Sequence, residues 1–145
     1  APGYNGASEK GVLSLGHGSN HTYNNFASDF TVEVGNGNPA AVGVRYIGHN
    51  NASIQRVTVT SPSRAGRVGL VIGGFVNPTQ YESGYANMVQ DVSVNGFDTG
   101  IRISPGDNGT VAFDNISLSS QNTYGMLVQS GTAAVNDLTS SQSGN

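Results

Sequence analysis

Cysteine is missing from this chain of 145 residues, and charged residues make up only 10% of it. Without cysteine, neither a disulfide framework nor a thiolate metal site can form. The net charge of −3 argues against a nucleic-acid-binding protein, because such a protein needs a basic surface. No apolar run approaches the ~18 residues of a transmembrane helix. The chain is also poor in the residues that favour helices, which leaves an all-β protein as the expectation.

Glycine, by contrast, contributes 21 residues, and Asn, Ser and Thr supply most of the polar side chains. This weakly charged composition predicts an extracellular protein, either secreted or associated with a surface. The chain opens without the basic and apolar runs of a signal peptide, as a processed protein or an excised fragment would. Four Asn-x-Ser/Thr sequons are candidates for glycosylation, at Asn20, Asn51, Asn108 and Asn115.

Short segments of alternating apolar and polar residues recur along the chain. Their first inward residues are spaced by 27, 35, 24 and 22 positions, at Phe30, Val57, Val92, Ile116 and Leu138. A further inward position precedes each of them by three residues, at Ala27, Ile54, Val89, Phe113 and Val135. After each of the first four segments comes a second strand that begins with glycine, at 43–46, 69–72, 100–103 and 125–128. The repeat therefore predicts three short strands in each unit.

Units of this length that stack on one another are typical of a parallel β-solenoid, here a single domain of about five coils over residues 1–145. We expect Val57, Val92 and Ile116 to form one inward row and Leu70 and Ile101 another. A β-sandwich is the competing fold, but it predicts hairpin turns between paired strands rather than one repeated order of strand, turn, glycine and strand. The sequence leaves open whether the chain is complete or a segment of a longer solenoid.

The longest interval between units predicts a loop over residues 77–86 that projects from the stack. This loop contains Tyr81, Glu82 and Tyr85, and loops on a repeat scaffold are common binding sites. The two tyrosines are candidates for stacking against a sugar, or they pack down onto the coil that the loop leaves.

Two stretches, Phe30–Val44 and Asp91–Ile101, carry a family resemblance. With them, residues 25–141 resemble the pectate-lyase-like right-handed parallel β-helix superfamily, and within it the bacterial proteins related to glycoside hydrolase family 28. The resemblance implies a right-handed β-helix. It also implies a polysaccharide or other glycan as the partner, and, if the protein is an enzyme, a polysaccharide-degrading glycosidase or lyase.

The carboxylates do not predict a catalytic pair, since no spacing forces two of them together as glycoside hydrolysis requires. Asp29, Asp91, Asn115 and Asp137 recur at one turn position, which predicts a ladder of hydrogen bonds. Glu33 is the exception, because it faces outward beside Thr60 and Asn95 and is a candidate for substrate binding. No catalytic residue, metal site or cofactor is predicted.

Two arginines are the other candidates for binding. Arg45 and Arg102 face outward on the glycine-led strands, two coils apart with Val71 between them. At ~4.8 Å per coil their Cα atoms lie ~10 Å apart, which suits two contacts to one acidic glycan. Equally, two arginines on a solvated face need no function.

Two functions from different classes remain open. The first is an extracellular carbohydrate-binding or carbohydrate-active domain, with the question of catalysis undecided. The alternative is a structural subunit that assembles end to end into a filament or a tail-like homo-oligomer. The terminal segments bear on this alternative, because no helical cap is predicted to cover the ends of the stack: either partner subunits cover them, or the chain is a piece of a longer one.

Overall fold

The computed structural model describes residues 8–16, 23–77, 80–82, 87–104 and 109–142. Over these ranges the chain is all-β and forms no helix, so they contain no helix that could cross a membrane. Two five-stranded sheets are present, and every strand pair within them is parallel. We call them sheet 1 and sheet 2, and in both sheets the strands pair with one another in chain order.

The strands of sheet 1 are the longer ones: β2 Phe26–Glu33, β4 Ser53–Thr60, β8 Asn87–Asn95, β10 Thr110–Ser119 and β12 Thr132–Ser141. Those of sheet 2 are β1 Lys10–Leu15, β3 Ala41–Tyr46, β5 Gly66–Ile72, β9 Phe97–Ile103 and β11 Tyr124–Val128. The short strands β6 Gly74–Asn77 and β7 Gln80–Glu82 form an antiparallel pair. Apart from β6 and β7, the chain alternates between the sheets, so one sheet 2 strand and the next sheet 1 strand together make one repeat.

The register of both sheets agrees with the sequence prediction. In sheet 1, Phe30, Val57, Val92, Ile116 and Leu138 are aligned across the five strands. In sheet 2, Leu70 is aligned with Ile101. Val57, Val92 and Ile116 are each 1% exposed, and Leu70 and Ile101 are fully buried. The alternation of apolar and polar residues was therefore sufficient to place the inward rows.

The prediction of three strands in each unit is wrong, because the earlier inward position lies on the same strand as the later one. Each sheet 1 strand bends at a residue with positive φ, and the ladder of paired residues skips that position. We call these residues the bend column: Asp29 (φ 62°), Arg56 (50°), Asp91 (53°), Asn115 (52°) and Asp137 (53°). A left-handed residue interrupts the two-residue period of a strand, so side chains three positions apart can both face inward. Asp and Asn adopt this conformation more readily than other non-glycine residues, which explains their recurrence.

The core lies between the two sheets. Apolar side chains of both sheets belong to one buried cluster, with Val57 and Val94 from sheet 1 and Val44 and Leu70 from sheet 2 among them. Glycine occupies one position of four sheet 2 strands, at Gly43, Gly69, Gly100 and Gly125. A Cβ atom at the first two would clash with the side chains of Val59 and Val94, respectively. The glycines therefore allow the two sheets to approach closely.

The inward row of sheet 1 becomes exposed at β12. Val135 and Leu138 are aligned with the buried Phe113 and Ile116, yet they are 45% and 43% exposed. The cause is that β12 pairs with β10 on one side and has no paired strand on the other among the described residues. End-to-end assembly through such an edge stays a prediction.

Candidate functional site

A column of outward-facing side chains crosses the first half of sheet 1, before the bend. Phe26, Ser53, Met88 and Ala112 are aligned across β2, β4, β8 and β10. They face outward because the residues that follow them, among them Ile54, Val89 and Phe113, are buried in the core.

These residues line a groove with a volume of about 510 Å³. Its size falls within the ~300–1,000 Å³ of typical ligand pockets. Phe26 is 65% exposed and Met88 is 37% exposed. Among the described residues, the lining is formed by Phe26, Asn51, Ala52, Ser53, Gln55, Asn87, Met88, Thr110 and Ala112. The groove thus combines an exposed aromatic ring with amide and hydroxyl groups, and none of these nine described residues is charged.

Hydrogen bonds fix the side chain of Gln55 at the wall of the groove. Its Nε2 atom donates to Ser53 Oγ at 3.3 Å, and its Oε1 atom accepts from Arg56 Nη1 at 3.3 Å. Because the nitrogen donates one hydrogen bond and the oxygen accepts another, the orientation of the amide is fixed. Less conformational entropy is therefore lost when a ligand binds.

The bend column runs beside the groove and is held by polar contacts between neighbouring strands. Arg56 Nε donates to Asp29 Oδ1 at 2.6 Å, and Arg56 Nη2 donates to Asp29 Oδ2 at 2.8 Å. Two strands further on, Asn115 Nδ2 donates to Asp91 Oδ1 at 2.6 Å. The predicted ladder is therefore present at these two steps. Arg56 is a member that the sequence reading did not place in the ladder, and its two bonds to Asp29 help to hold its left-handed backbone.

The hydrogen bonds from Arg56, together with one from Ser28, lower the pKa of Asp29 to about 2. Because the ordinary pKa is ~3.9, this carboxylate stabilises the fold above pH ~4, and the contribution is lost as the pH falls through about 2.

We expect Arg56→Gln to raise the pKa of Asp29 towards its ordinary value, as measured by NMR titration of the carboxyl carbon. The control Lys10→Gln, which removes a cation from β1, should leave this pKa unchanged. A pKa near 3.9 in the unmodified protein would contradict the pairing.

The two candidate arginines are aligned as predicted, with Val71 between Arg45 and Arg102. Their surroundings differ from those of a solvated face, because Val71 is fully buried and the Arg102 side chain is only 16% exposed. Arg102 donates through Nη1 to Glu9 Oε1 at 2.7 Å and through Nη2 to Glu9 Oε2 at 2.5 Å. Arg102 is thus already paired with a carboxylate of the same chain.

Glu9 is an interaction partner that the sequence reading missed. Burial acts to raise the pKa of its carboxyl group, but the hydrogen bond from Arg102 and the charges of Arg102, Arg67 and Arg45 outweigh this effect, so the pKa is lowered. Glu9 and Arg102 are 93 positions apart in the chain, and no local motif connects them.

The other predicted residues lie at different places. Glu33 is exposed on sheet 1, beyond the bend, and is aligned with Thr60. Tyr81 and Glu82 lie on β7, but their side chains are outside the described part of the chain, as is all of Tyr85. Of the glycosylation candidates, Asn51 and Asn115 are exposed, whereas Asn20 and Asn108 fall outside the described residues.

None of Arg45, Arg102 and Glu33 lines the groove, and among the predicted site residues that the structure describes, Asn51 is the one that does. Two other residues of the groove could be recognised in the sequence as outward-facing. Phe26 and Met88 directly precede the inward residues Ala27 and Val89 of the repeat. An outward phenylalanine at that point is unusual on a polar sheet face. In the described part of the chain, no group of three or more His, Asp or Glu residues could hold a metal ion.

Comparisons with protein-family models, with curated proteins and with solved structures found no match to this chain.

Proposed function

We propose that this chain is a right-handed parallel β-helix domain that binds a glycan in the groove of sheet 1. Two parallel sheets joined by a chain that alternates between them support the β-helix. Its right-handedness is supported by the general rule for parallel strands, since about 98% of their crossover connections have this hand. The pectate-lyase-like resemblance of residues 25–141 is consistent with this architecture. The low charge and the abundance of Asn, Ser and Thr fit an extracellular protein.

The exposed ring of Phe26 at the groove is the observation that carries the proposal. A large aromatic side chain that is 65% exposed, beside a half-exposed methionine, leaves apolar surface in water. Sugar rings have apolar faces and hydroxyl edges, so they match an aromatic side chain flanked by amides and hydroxyls. Phe26 supplies the face, and Gln55, Ser53 and Thr110 supply hydrogen-bonding groups.

Binding without turnover is the form of the function that the groove supports. Glycoside hydrolysis ordinarily uses two carboxyl groups that flank the scissile bond, about 5–9.5 Å apart. The residues that line the groove in the described part of the chain include no carboxylate. The groove is therefore proposed as a binding site, with amides, hydroxyls and apolar side chains as the groups that contact the ligand.

The test is a titration of the protein with a panel of oligosaccharides, followed by calorimetry or by NMR chemical shifts. We expect Phe26→Ala to weaken binding by about tenfold, since aromatic contacts contribute on the order of 1 kcal/mol beyond the area they bury. Tyr124→Ala is the matched control, because Tyr124 is 50% exposed but lies on sheet 2, outside the groove lining. Equal loss in both variants, or no binding by the unmodified protein, would refute the proposal.

A further inference from the structure

The described residues that line the groove are uncharged, and the charged side chains on the same face of sheet 1 are mainly acidic. The nearest outward column beyond Ala112 contains Asp114, which accepts from Gln90 Nε2 at 3.2 Å and from Asn136 Nδ2 at 2.6 Å. The bend column adds Asp29, Asp91 and Asp137. A bound ligand would thus share this face of the sheet with several carboxylates.

Arg56 is the cation of the bend column, and its bonds within the sheet use three of its five guanidinium N–H groups. Nε and Nη2 bind Asp29, and Nη1 binds Gln55. The charge of Arg56 is largely balanced by Asp29, which lies in direct contact with it. Nη1 and Nη2 each keep one further N–H group, but an acidic ligand that binds them would share the charge of Arg56 with Asp29.

The cost of placing a carboxylate in this groove follows from desolvation. A charged group that leaves water without a cationic partner loses several kcal/mol, and neighbouring carboxylates add repulsion. A neutral hydroxymethyl group loses far less, because hydroxyl and amide groups can replace its hydrogen bonds to water. Gln55, Ser53 and Thr110 offer such groups.

We propose that the groove selects neutral glycans and discriminates against those that contain uronic acids. This inference rests on the proposed function, and it opposes the acidic glycan that the spacing of Arg45 and Arg102 suggested. Those arginines do not line the groove, and Arg102 is paired with Glu9.

The experiment compares ligands that differ only at C6. Neutral gluco- and galacto-tetrasaccharides are titrated into the full chain beside the uronate tetrasaccharides in which C6 of every unit is a carboxylate. We expect the neutral member of a pair to bind about tenfold more tightly or better, which corresponds to ~1.4 kcal/mol or more. The difference should shrink as salt screens the carboxylates. Methyl esterification of the uronates removes the charge and should restore affinity.

A variant that adds a positive charge to the groove tests the same inference through a gain of affinity for uronates. Met88 lies at the centre of the column, between Ser53 and Ala112, and it is 37% exposed. Met88→Lys should improve uronate binding by about tenfold relative to the neutral control Met88→Gln, because it supplies the missing cation.

The outcomes separate the two proposals. If no tetrasaccharide binds, both the proposed function and this inference fail. If uronates bind as tightly as their neutral counterparts and respond to Phe26→Ala, the groove is a glycan site, but the inference about charge is wrong.

Discussion

Replacement of Val92 by aspartate is expected to abolish folding. Val92 is 1% exposed at the centre of sheet 1, with Val57 aligned on one side and Ile116 on the other. Burial of a carboxylate without a partner costs several kcal/mol, and a domain of this size has a total stability of roughly 5–15 kcal/mol. The variant should lack the circular-dichroism signal of a folded β protein and should be digested rapidly by proteases.

Ser93→Asp is the matched control, because Ser93 is the next residue of β8 and faces outward. We expect this variant to fold and to lose less than about 1 kcal/mol, as most substitutions on a surface do. A folded and protease-resistant Val92→Asp protein would mean that the inward row of sheet 1 has been assigned to the wrong face.

Gly69→Ala is expected to lower the free energy of unfolding by about 1–3 kcal/mol, the range typical of overpacked cores. A Cβ atom at this position would clash with the Val94 side chain and would lie 2.8 Å from the carbonyl oxygen of Gly100. The two sheets would have to separate, or the backbone of sheet 2 would have to shift. Denaturation by urea would measure the loss.

A second substitution identifies the cause of that loss. If the clash with Val94 is responsible, Gly69→Ala combined with Val94→Ala should cost less than the sum of the two single changes. Gly35→Ala is the control, since no atom lies within 4 Å of the Cβ position there. A Gly69→Ala variant as stable as Gly35→Ala would show that the core between the sheets can accommodate a Cβ atom at position 69.

The inward rows were predictable because burial imposes a pattern on every repeat. Each apolar position of sheet 1 contacts its equivalents on neighbouring strands, so Val57, Val92 and Ile116 all have to be apolar. The bend was visible only indirectly, as inward residues three positions apart and as a recurring Asp or Asn. The positive φ of the bend could not be predicted from the sequence, because the same column contains Arg56, and arginine rarely adopts positive φ.

The groove was not predicted, and the reason is physical. Outward positions are not constrained by a core, so Phe26, Ser53, Met88 and Ala112 share no residue type that a repeat search can detect. They come together only through the register of four strands. The ion pair between Arg102 and Glu9 could not be predicted for the same reason. The two residues are 93 positions apart, and only the fold brings them into contact.

The uneven spacing of the repeats imposes no strong order on their folding. Aligned residues of neighbouring sheet 1 strands are separated by 22 positions between Ile116 and Leu138 and by 35 between Val57 and Val92. The entropy of loop closure depends only logarithmically on length, so these two pairings differ by about 0.4 kcal/mol. No strand pair is therefore much harder to close than another. Folding can begin at any pair of repeats and spread in both directions, because each new repeat covers the apolar edge left by the one before it.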